Sequence, residues 1–374
     1  MTDRELRAWA YLAAVAEPPC ASLVALVDDL GAVEAAAAVR DRKVPAAHRS
    51  VLAATQARAS TDTAARDLET CHRLGARLLT REDPDWPAWQ LLALDQAETA
   101  ARGGAPLALW VRGPLACADL TERAVALVGS RASSSYGDHV TGLLAADVGA
   151  AGWAVVSGGA YGIDGAAHRA ALAAGTPTAA VLACGIDRDY PTGHARLLRE
   201  IAEHGAVITE YPPGSGAAKH RFLTRNRLVA ALSSAVIVVE AGRRSGAANT
   251  AAWAKRIGRP LGAVPGPVTS ATSVGANAMI ADGDAILVAD GAAALALAAP
   301  DGHDVKPPGE TRRTDGLSAE HLRVLEALPA RGGLSVDEIS FGSGVGVSAV
   351  LRALSALDLA GLVDGADGTW RLVR

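Results

Sequence analysis

The length and composition of the chain already exclude several classes of protein. Its 374 residues are enough for roughly two to three domains, at about 150 residues per domain. Half of the residues are hydrophobic and 20% are charged, which excludes a disordered polyelectrolyte. A net charge of −4 excludes a uniformly basic nucleic-acid coat, although it leaves room for a local basic site.

The cysteines and the apolar segments indicate the compartment. The four cysteines are far apart and form no CxxC pair, so neither a zinc ribbon nor a redox pair is indicated. The N-terminal segment, Met1–Glu5, has no features of a secretion signal. The two long uncharged stretches, 170–186 and 261–281, are broken by Gly175–Pro177 and Pro265–Pro267. We therefore expect a soluble cytoplasmic protein that does not insert into a membrane.

The N-terminal residues are predicted to form a small helical domain of the SAM or helix-hairpin-helix type. Leu6, Trp9 and Leu12 recur at helical spacing, and Gly31 is a glycine of the kind that ends helices. Residues 81–120 are rich in proline, tryptophan and glycine. We expect them to form an irregular lead-in that packs against the next unit.

An alternation of β-rich runs with alanine-rich helical stretches begins near residue 121. This rhythm predicts an α/β protein with a Rossmann-like, doubly wound and mostly parallel sheet. Parallel strands are buried on both faces, and the apolar run 235–239 fits that pattern. The predicted strands are Ala124–Val128, Trp153–Ser157, Thr178–Leu182, Ala206–Thr209, Val236–Glu240, Leu261–Val264 and Ala285–Val288, and the predicted helices lie near 138–150, 164–174, 194–204, 224–232 and 247–257.

The C-terminal part of the chain is predicted to be a winged-helix domain that follows a polar linker. Three short apolar periodicities precede two β-rich runs, Leu362-Val363 and Trp370–Leu372, with an Asp-Gly turn between them. Three helices and a hairpin are the winged-helix arrangement. The predicted organisation is a helical domain at 1–80, a Rossmann-like domain with its lead-in at 81–298, a linker at 299–316 and a winged-helix domain at 317–374.

Several common chemistries are excluded by missing motifs. The chain contains no Gly-Lys dipeptide, so it has no Walker A loop, and it contains neither GxSxG nor HExxH. Its nine histidines are scattered, and none pairs with others at metal-ligand spacing. We therefore predict no catalytic residue, no metal site and no cofactor.

Three glycine-rich loops follow predicted strands and open helices. They contain Gly129-Ser130-Arg131, then Ser157-Gly158 with Gly162, and then Ser245-Gly246. Glycines let the backbone approach a ligand, and a helix N-terminus presents free amides to an anion. In a parallel sheet these loops share the carboxyl edge, so together they predict an anion site. The alternative interpretation is three tight turns without a ligand. The spacing is not GxGxxG, which argues against an oxidoreductase that binds a dinucleotide.

A local cluster of positive charge lies between Tyr211 and Val239, where no acidic residue occurs. A cationic groove with an aromatic ring is what a single strand needs, because cations track phosphates and the ring stacks on a base. Here Phe222 supplies the ring. The alternative interpretation is a solvated helix face. The cations of the cluster are Lys219, Arg221, Arg225 and Arg227.

These signatures, in this order, resemble the DprA family, also called Smf, whose members are DNA-processing proteins of natural transformation. The resemblance runs from Leu79-Thr80 to Val264–Pro267 and includes Asp187…Tyr190-Pro191 and Thr209–Gly214. It implies a homodimer formed through the Rossmann-like domain. It also implies a mediator that binds single-stranded DNA and loads the recombinase RecA, with single-strand-binding protein as a further partner. The positions expected to bind DNA are Gly129, Ser130, Arg131, Ser157, Gly158, Gly162, Lys219, Phe222, Arg225, Asn226, Arg227, Ser245 and Gly246.

Some positions depart from the family pattern, and one enzyme class stays open. Tyr161 stands where the family often has arginine. The loop 157–163 also resembles that of nucleotide 5′-monophosphate phosphoribohydrolases. Those enzymes need a glutamate after their second glycine-rich loop, and the segment 240–246 is followed by none. Glycosidic cleavage requires a placed carboxylate, so a binding protein is the leading interpretation.

Overall fold

The computed structural model of the chain describes residues 1–97, 104–243, 245–299, 317–329, 331–366 and 368–373. The chain folds as two compact units, Met1–Val305 and Lys306–Arg374. No single helix of the described residues is long and apolar enough to cross a membrane, and only the pair Val336–Ser343 and Val347–Leu359, bent by 103°, reaches that length and composition together. The predicted linker 299–316 lies outside the described residues, apart from Ala299.

The first unit begins with short helices that share one apolar core. The first of them starts at a capping box between Thr2 and Glu5, in which each side chain accepts from the other's backbone amide. Its inner face buries Trp9 and Leu12. Gly31 has a φ of 78° and separates the second helix from the third, at the predicted stop. The helices are α1 (Asp3–Val15), α2 (Ala21–Leu30), α3 (Ala32–Arg40), a 3-10 turn at Ala46–His48, α4 (Ser50–Ala54) and α5 (Ala64–Arg73).

The sheet of the first unit is mostly parallel, and this confirms the predicted fold class. Its strands are β1 (Ala76–Thr80), β2 (Ala108–Arg112), β3 (Ala124–Gly129), β4 (Ala154–Ser157), β5 (Thr178–Leu182), β6 (Ala206–Thr209), β7 (Ala235–Glu240), β8 (Leu261–Ala263) and β9 (Ile286–Leu287). Over the described residues the strand order is β1-β2-β6-β5-β4-β3-β7-β8-β9. Every residue of β4 to β7 is buried, as expected of strands covered on both faces.

Two strands lie where the sequence analysis predicts none. β1 falls inside the predicted helical domain, and β2 falls inside the lead-in that was expected to be irregular. They pair antiparallel with each other, and β2 also pairs antiparallel with β6. Both stand outside the strand–helix alternation, and an arginine interrupts or ends each apolar run, so periodicity gives no signal. Because of this extension, the N-terminal helices share a core with the sheet, in which Trp9 and Leu26 lie with Trp110 and Leu182.

Helices cover both faces of the sheet. One face packs against α8, α9 and α14, and the opposite face packs against α6, α7, α11, α12 and α13, while α10 joins the core of the N-terminal helices. Their bounds are α6 (Ala88–Gln96), α7 (Cys117–Glu122), α8 (Ser135–Ala150), α9 (Ile163–Ala173), a 3-10 turn at Thr192–His194, α10 (Ala195–His204), α11 (Lys219–Ala231), α12 (Gly246–Arg256), α13 (Val274–Ala281) and α14 (Gly291–Ala298).

The order in which the chain adds strands to the sheet reverses at β3. Strands β4, β5 and β6 are added on one side of β3, and the chain then returns to place β7 and β8 on the other side. The loops after β3 and β7 therefore lead to helices on opposite faces, which opens a crevice at the carboxyl edge. Ligands bind at such a switch point in open α/β sheets.

Within its described residues, the second unit contains three helices and a hairpin, as the sequence predicts for a winged helix. Its core contains Val324, Ile339, Val350, Leu354 and Leu357. A bridge between Leu334 and Trp370 ties the hairpin to the segment before the second helix. The elements are α15 (Ala319–Glu326), α16 (Val336–Ser343), α17 (Val347–Leu359), β10 (Val363–Ala366) and β11 (Thr369–Leu372).

Candidate functional site

A groove at the carboxyl edge of the sheet brings most of the predicted site residues together. It has a volume of about 790 Å³ and lies where the loops after β3, β4 and β7 meet the first turns of α11. This is the switch point of the sheet, where the architecture places ligands. The predicted site residues that line the groove are Gly129, Ser130, Arg131, Gly158, Lys219, Phe222, Arg225, Asn226, Ser245 and Gly246.

Glycines allow the loops after β3 and β4 to approach each other. A Cβ atom on Gly129 would lie 2.5 Å from Cγ1 of Ile163. Gly162 has a φ of 74°, and a Cβ there would collide with the carbonyl oxygen of Ser130. The Ile163 amide donates to that same oxygen over 3.1 Å. The lack of a side chain at Gly162 therefore lets the two loops meet, and the Ile163 amide joins them. Gly162 does not line the groove.

The exposed rim of the groove is cationic and aromatic. The guanidinium carbon of Arg131 lies 5.0 Å from the centroid of the Phe222 ring. The centroids of the Tyr190 and Phe222 rings are 5.6 Å apart, and the ring planes are tilted by 45°. Arg131 and Lys219 are both exposed. Tyr190 is 43% exposed and lines the groove, although the sequence analysis did not name it as a site residue. The signal was present, because Tyr190 belongs to the Asp187…Tyr190-Pro191 signature.

The floor of the groove contains two buried groups of opposite charge, Arg225 and Asp164. Arg225 is 4% exposed and donates through Nη1 to the carbonyl oxygens of Gly158, over 2.5 Å, and Val181. Burial lowers the pKa of Arg225, and the nearby Asp164 carboxylate opposes this. Burial likewise raises the pKa of Asp164, against the effect of Arg225. Arg225 therefore supports the loop after β4, and only part of its guanidinium is available to a ligand.

Two predicted site residues lie beneath the groove and do not line it. Arg227 is fully buried, and its Nη2 donates to both carboxylate oxygens of Glu210, over 2.6 and 2.7 Å. Ser157 is also fully buried and donates to the carbonyl oxygen of Leu127 over 2.6 Å. The expectation that Arg227 and Lys219 converge on one groove is wrong for Arg227. The reason is that α11 is buried from Thr224 onwards, and the side of the helix that carries Arg227 faces Glu210 in the interior.

The N-terminus of α12 forms another side of the groove. Ser245 caps this helix by accepting from the Ala248 amide over 3.3 Å. The side-chain amide of Asn226 donates to the Gly246 carbonyl over 3.3 Å and to Oδ1 of Asn249 over 3.1 Å. These contacts fix α12 against α11. Gly246 and Ala247 at the start of α12 line the groove, and the free backbone amides of a helix N-terminus favour an anion.

Glu17 connects the N-terminal helices to the first turn of α11. It accepts from Arg221 over 2.6 and 2.9 Å, from Arg58 over 2.8 Å and from His220 over 3.2 Å. Burial raises the pKa of Glu17, but these hydrogen bonds outweigh it and lower that pKa to about 2. Arg221 therefore holds α11 in place and does not face the groove. Sequence reasoning missed this contact, because it joins residues 204 positions apart.

We expect Glu17→Gln to lower the free energy of unfolding by about 1 kcal/mol, because it removes the negative charge that Arg58 and Arg221 share. The expected loss of stability is small because Glu17 is 35% exposed and water screens the interaction. Chemical denaturation of the full chain measures the change. The matched control is Asp3→Asn, which removes an exposed ion pair with Arg7 and should have no measurable effect. Equal stability of the two variants would contradict the prediction.

The carboxylate at the end of β7 has a structural role. Glu240 is 1% exposed. It accepts from the amide and hydroxyl of Ser134, over 2.9 and 2.5 Å, and from the Thr272 hydroxyl over 2.8 Å. Its hydrogen bonds hold the loop before α8 to the loop before α13. The carboxylate that does line the groove is Asp164, although the sequence analysis found none there.

The fold defines a Rossmann-like protein with a groove that has a cationic and aromatic rim at its switch point, followed along the chain by a winged helix. A family model described as DNA recombination-mediator protein A matches residues 77–298, and one described as DprA winged helix domain matches residues 308–369. The chain belongs to this DprA/Smf family of DNA-processing proteins.

Individual relatives agree with this assignment. A Mycobacterium tuberculosis protein that carries the name DNA processing protein DprA is 49% identical over 100% of this chain and 96% of its own length. The solved structure of DNA processing protein A from Streptococcus pneumoniae is 28% identical, with a TM-score of 0.63 over 79% of this chain and 98% of that one. The Helicobacter pylori protein, solved to describe its single-stranded DNA binding mode, is 28% identical, with a TM-score of 0.52 over 61% of this chain and 97% of that one.

Proposed function

We propose that the chain binds single-stranded DNA in the groove at the switch point. The observation that carries this proposal is the rim, where exposed Arg131 and Lys219 flank the Phe222 ring and Tyr190 lies beside it. Cations that track phosphates, next to rings that stack on unpaired bases, are what a single strand requires. A duplex hides the faces of its bases, so single strands should bind far better. Sequence preference should be slight, because phosphate and stacking contacts carry little base information.

We propose further that the bound strand is delivered to RecA, and that the chain acts as a mediator in natural transformation or DNA recombination in the cytoplasm, without catalysing a reaction. Support comes from the family to which the chain belongs. The test is RecA-driven strand exchange on DNA that is already coated with single-strand-binding protein. Exchange should be faster in the presence of the chain. An unchanged rate, together with normal binding of the strand, would overturn the loading role and leave the binding role intact.

One observation favours the enzyme alternative, a nucleotide 5′-monophosphate phosphoribohydrolase. Asp164 places a carboxyl group in the groove, and burial raises its pKa, which suits a general acid. Release of adenine from AMP tests this directly. Release that is lost in Asp164→Asn would establish the hydrolase. We expect no release, because Asp164 lies beside Arg225 at the floor and Glu240 is fully engaged by Ser134 and Thr272.

We propose that the chain forms a homodimer and that the contact lies at the β9 edge of the sheet. This edge strand exposes Ile286 at 62% and Leu287 at 48%. An uncovered apolar edge strand is a template for pairing with another chain.

Replacing Ile286 and Leu287 together by aspartate should convert the dimer to a monomer. Two charges at the centre of an apolar contact would be desolvated without partners, which is strongly unfavourable. Sedimentation of the full chain measures the change. Leu143→Asp is the control, because Leu143 is a similarly exposed apolar residue, at 54%, that lies on α8 and not on β9. A dimer that persists in the double variant would place the interface elsewhere.

A further inference from the structure

A second and smaller cavity adjoins the groove. Tyr161, Leu182 and Pro191 line its far side, and it shares Tyr190 and Phe222 with the groove as a common wall. Its volume is about 50 Å³. The walls are aromatic and aliphatic, with the Arg131 guanidinium as the charged group at the common wall. An apolar space that opens beside a phosphate-binding rim is suited to the base of a nucleotide whose phosphate lies on the rim.

Tyr161 is fixed in position although almost half of it is exposed. Its ring packs edge-on against His194, with centroids 4.7 Å apart and an angle of 71° between the planes. Gly193 makes room for the ring, because a Cβ there would lie 2.5 Å from the Tyr161 hydroxyl oxygen and 3.2 Å from Cε1. Even so, Tyr161 is 47% exposed. A ring that is held on one side and open on the other is a preformed stacking surface.

The Arg131 side chain lies at the wall that the two cavities share. Its guanidinium lies over the Phe222 ring, 5.0 Å from the centroid, and it lines both spaces. At about 50 Å³, the smaller cavity has less volume than a nucleobase, and Arg131 is one of its lining residues. The Arg131 side chain is exposed, so it can turn from the ring towards a phosphate. That movement would open the cavity to a base and would add a contact to the backbone of the strand.

We propose that the smaller cavity is a second base-binding subsite, which encloses one unpaired nucleobase between Tyr161 and Tyr190 while a neighbouring base stacks on Phe222. The proposal rests on the proposed function, since the strand must first lie in the groove. Every base has a π-face, so the subsite accepts purines and pyrimidines alike. A base that is paired in a duplex cannot enter it, and the subsite therefore adds to the preference for single strands.

The test compares two strands that carry the same phosphates. One is a short oligothymidylate, and the other is a chain of abasic deoxyribose phosphates of the same length. The full-length chain should prefer the oligothymidylate, because only that strand can stack. Tyr161→Leu should reduce this preference about fivefold or more, and Tyr161→Phe should preserve it. Phe222→Leu should give a similar reduction, and the two leucine changes together should remove the preference.

Further measurements separate a lost stack from a damaged fold. Gly193→Ala should displace the Tyr161 ring and reduce the preference while the ring itself is kept. The salt dependence of binding should be unchanged in Tyr161→Leu, because its phosphate contacts remain. Trp89→Leu is the matched control, since Trp89 is 77% exposed and does not line either cavity. It should bind as the unaltered chain does.

Each outcome decides between the two proposals. If Tyr161→Leu keeps the full preference while Phe222→Leu loses it, the second subsite is overturned and the groove stands. If the unaltered chain binds both strands equally, stacking is absent and both aromatic assignments are overturned. If it binds neither strand, the proposed function itself fails.

Discussion

Replacing Arg131 and Lys219 together by alanine should weaken the binding of a single strand about 100-fold, equal to about 3 kcal/mol. These are the exposed cations at the rim of the groove, on the loop after β3 and at the start of α11. A plot of log affinity against log salt concentration should also become shallower by about 0.7 for each lost phosphate contact. The slope should therefore fall by about 1.4 in the double variant. A salt titration with a labelled oligothymidylate measures both quantities.

The companion change is Phe222→Leu, which should weaken binding by about 1–3 kcal/mol and leave the salt slope unchanged. A variant that is merely unfolded would not separate the two effects. Arg199→Ala supplies the control for charge, because Arg199 is exposed on α10 and does not line the groove. Binding at full strength by the Arg131 and Lys219 double variant would mean that the strand lies elsewhere on the surface.

The central sheet could be predicted because its signals are local. Each strand from β3 to β7 is a short apolar run bounded by turn residues, and buried parallel strands leave that pattern in any sequence. The loops after these strands could be assigned to one edge by topology alone. β1 and β2 could not be predicted, because a strand at the margin of a sheet is defined by its partner, and Arg77 and Arg112 interrupt the apolar pattern.

Charge along a helix predicts the groove less well than the loops do. Lys219, Arg225 and Arg227 lie within nine positions, but the helix rotates them to different environments. Lys219 is exposed at the rim, Arg225 is at the floor, and Arg227 faces Glu210 in the interior. Sequence spacing shows that the charges are close along the chain. Only the packing of α11 on the sheet decides which of them water and a ligand can reach.

The contact between Glu17 and Arg221 was beyond sequence reasoning for a different reason. Each residue looks like an ordinary surface charge, and the two belong to parts of the chain that were predicted to be separate domains. Their meeting depends on the antiparallel extension by β1 and β2, which brings the N-terminal helices onto the sheet. Because the sequence did not reveal β1 and β2, it could not reveal the contact between Glu17 and Arg221 either.

Removing the carboxylate of Glu210 should destabilise the chain by about 3–5 kcal/mol, the cost of leaving a buried charge without its partner. Arg227 is fully buried and Glu210 is 3% exposed, so the guanidinium would stay in the interior after the carboxylate is lost. The Arg227 Nη2 makes both hydrogen bonds to Glu210, while Nε and Nη1 have no partner among the described residues. Glu210→Ala would leave the whole guanidinium unpaired. The free energy of unfolding of the full chain, measured with denaturant, gives the size of the loss.

Replacing both members of this pair should cost far less than replacing one. Arg227→Met combined with Glu210→Leu removes both charges and fills much of the same volume with apolar atoms, and such exchanges are often neutral or stabilising by about 1–4 kcal/mol. The double variant should also bind oligonucleotides with an unchanged salt slope, because Arg227 reaches no phosphate from the interior. A slope reduced by about 0.7 would instead mean that Arg227 leaves Glu210 and joins the groove when DNA binds.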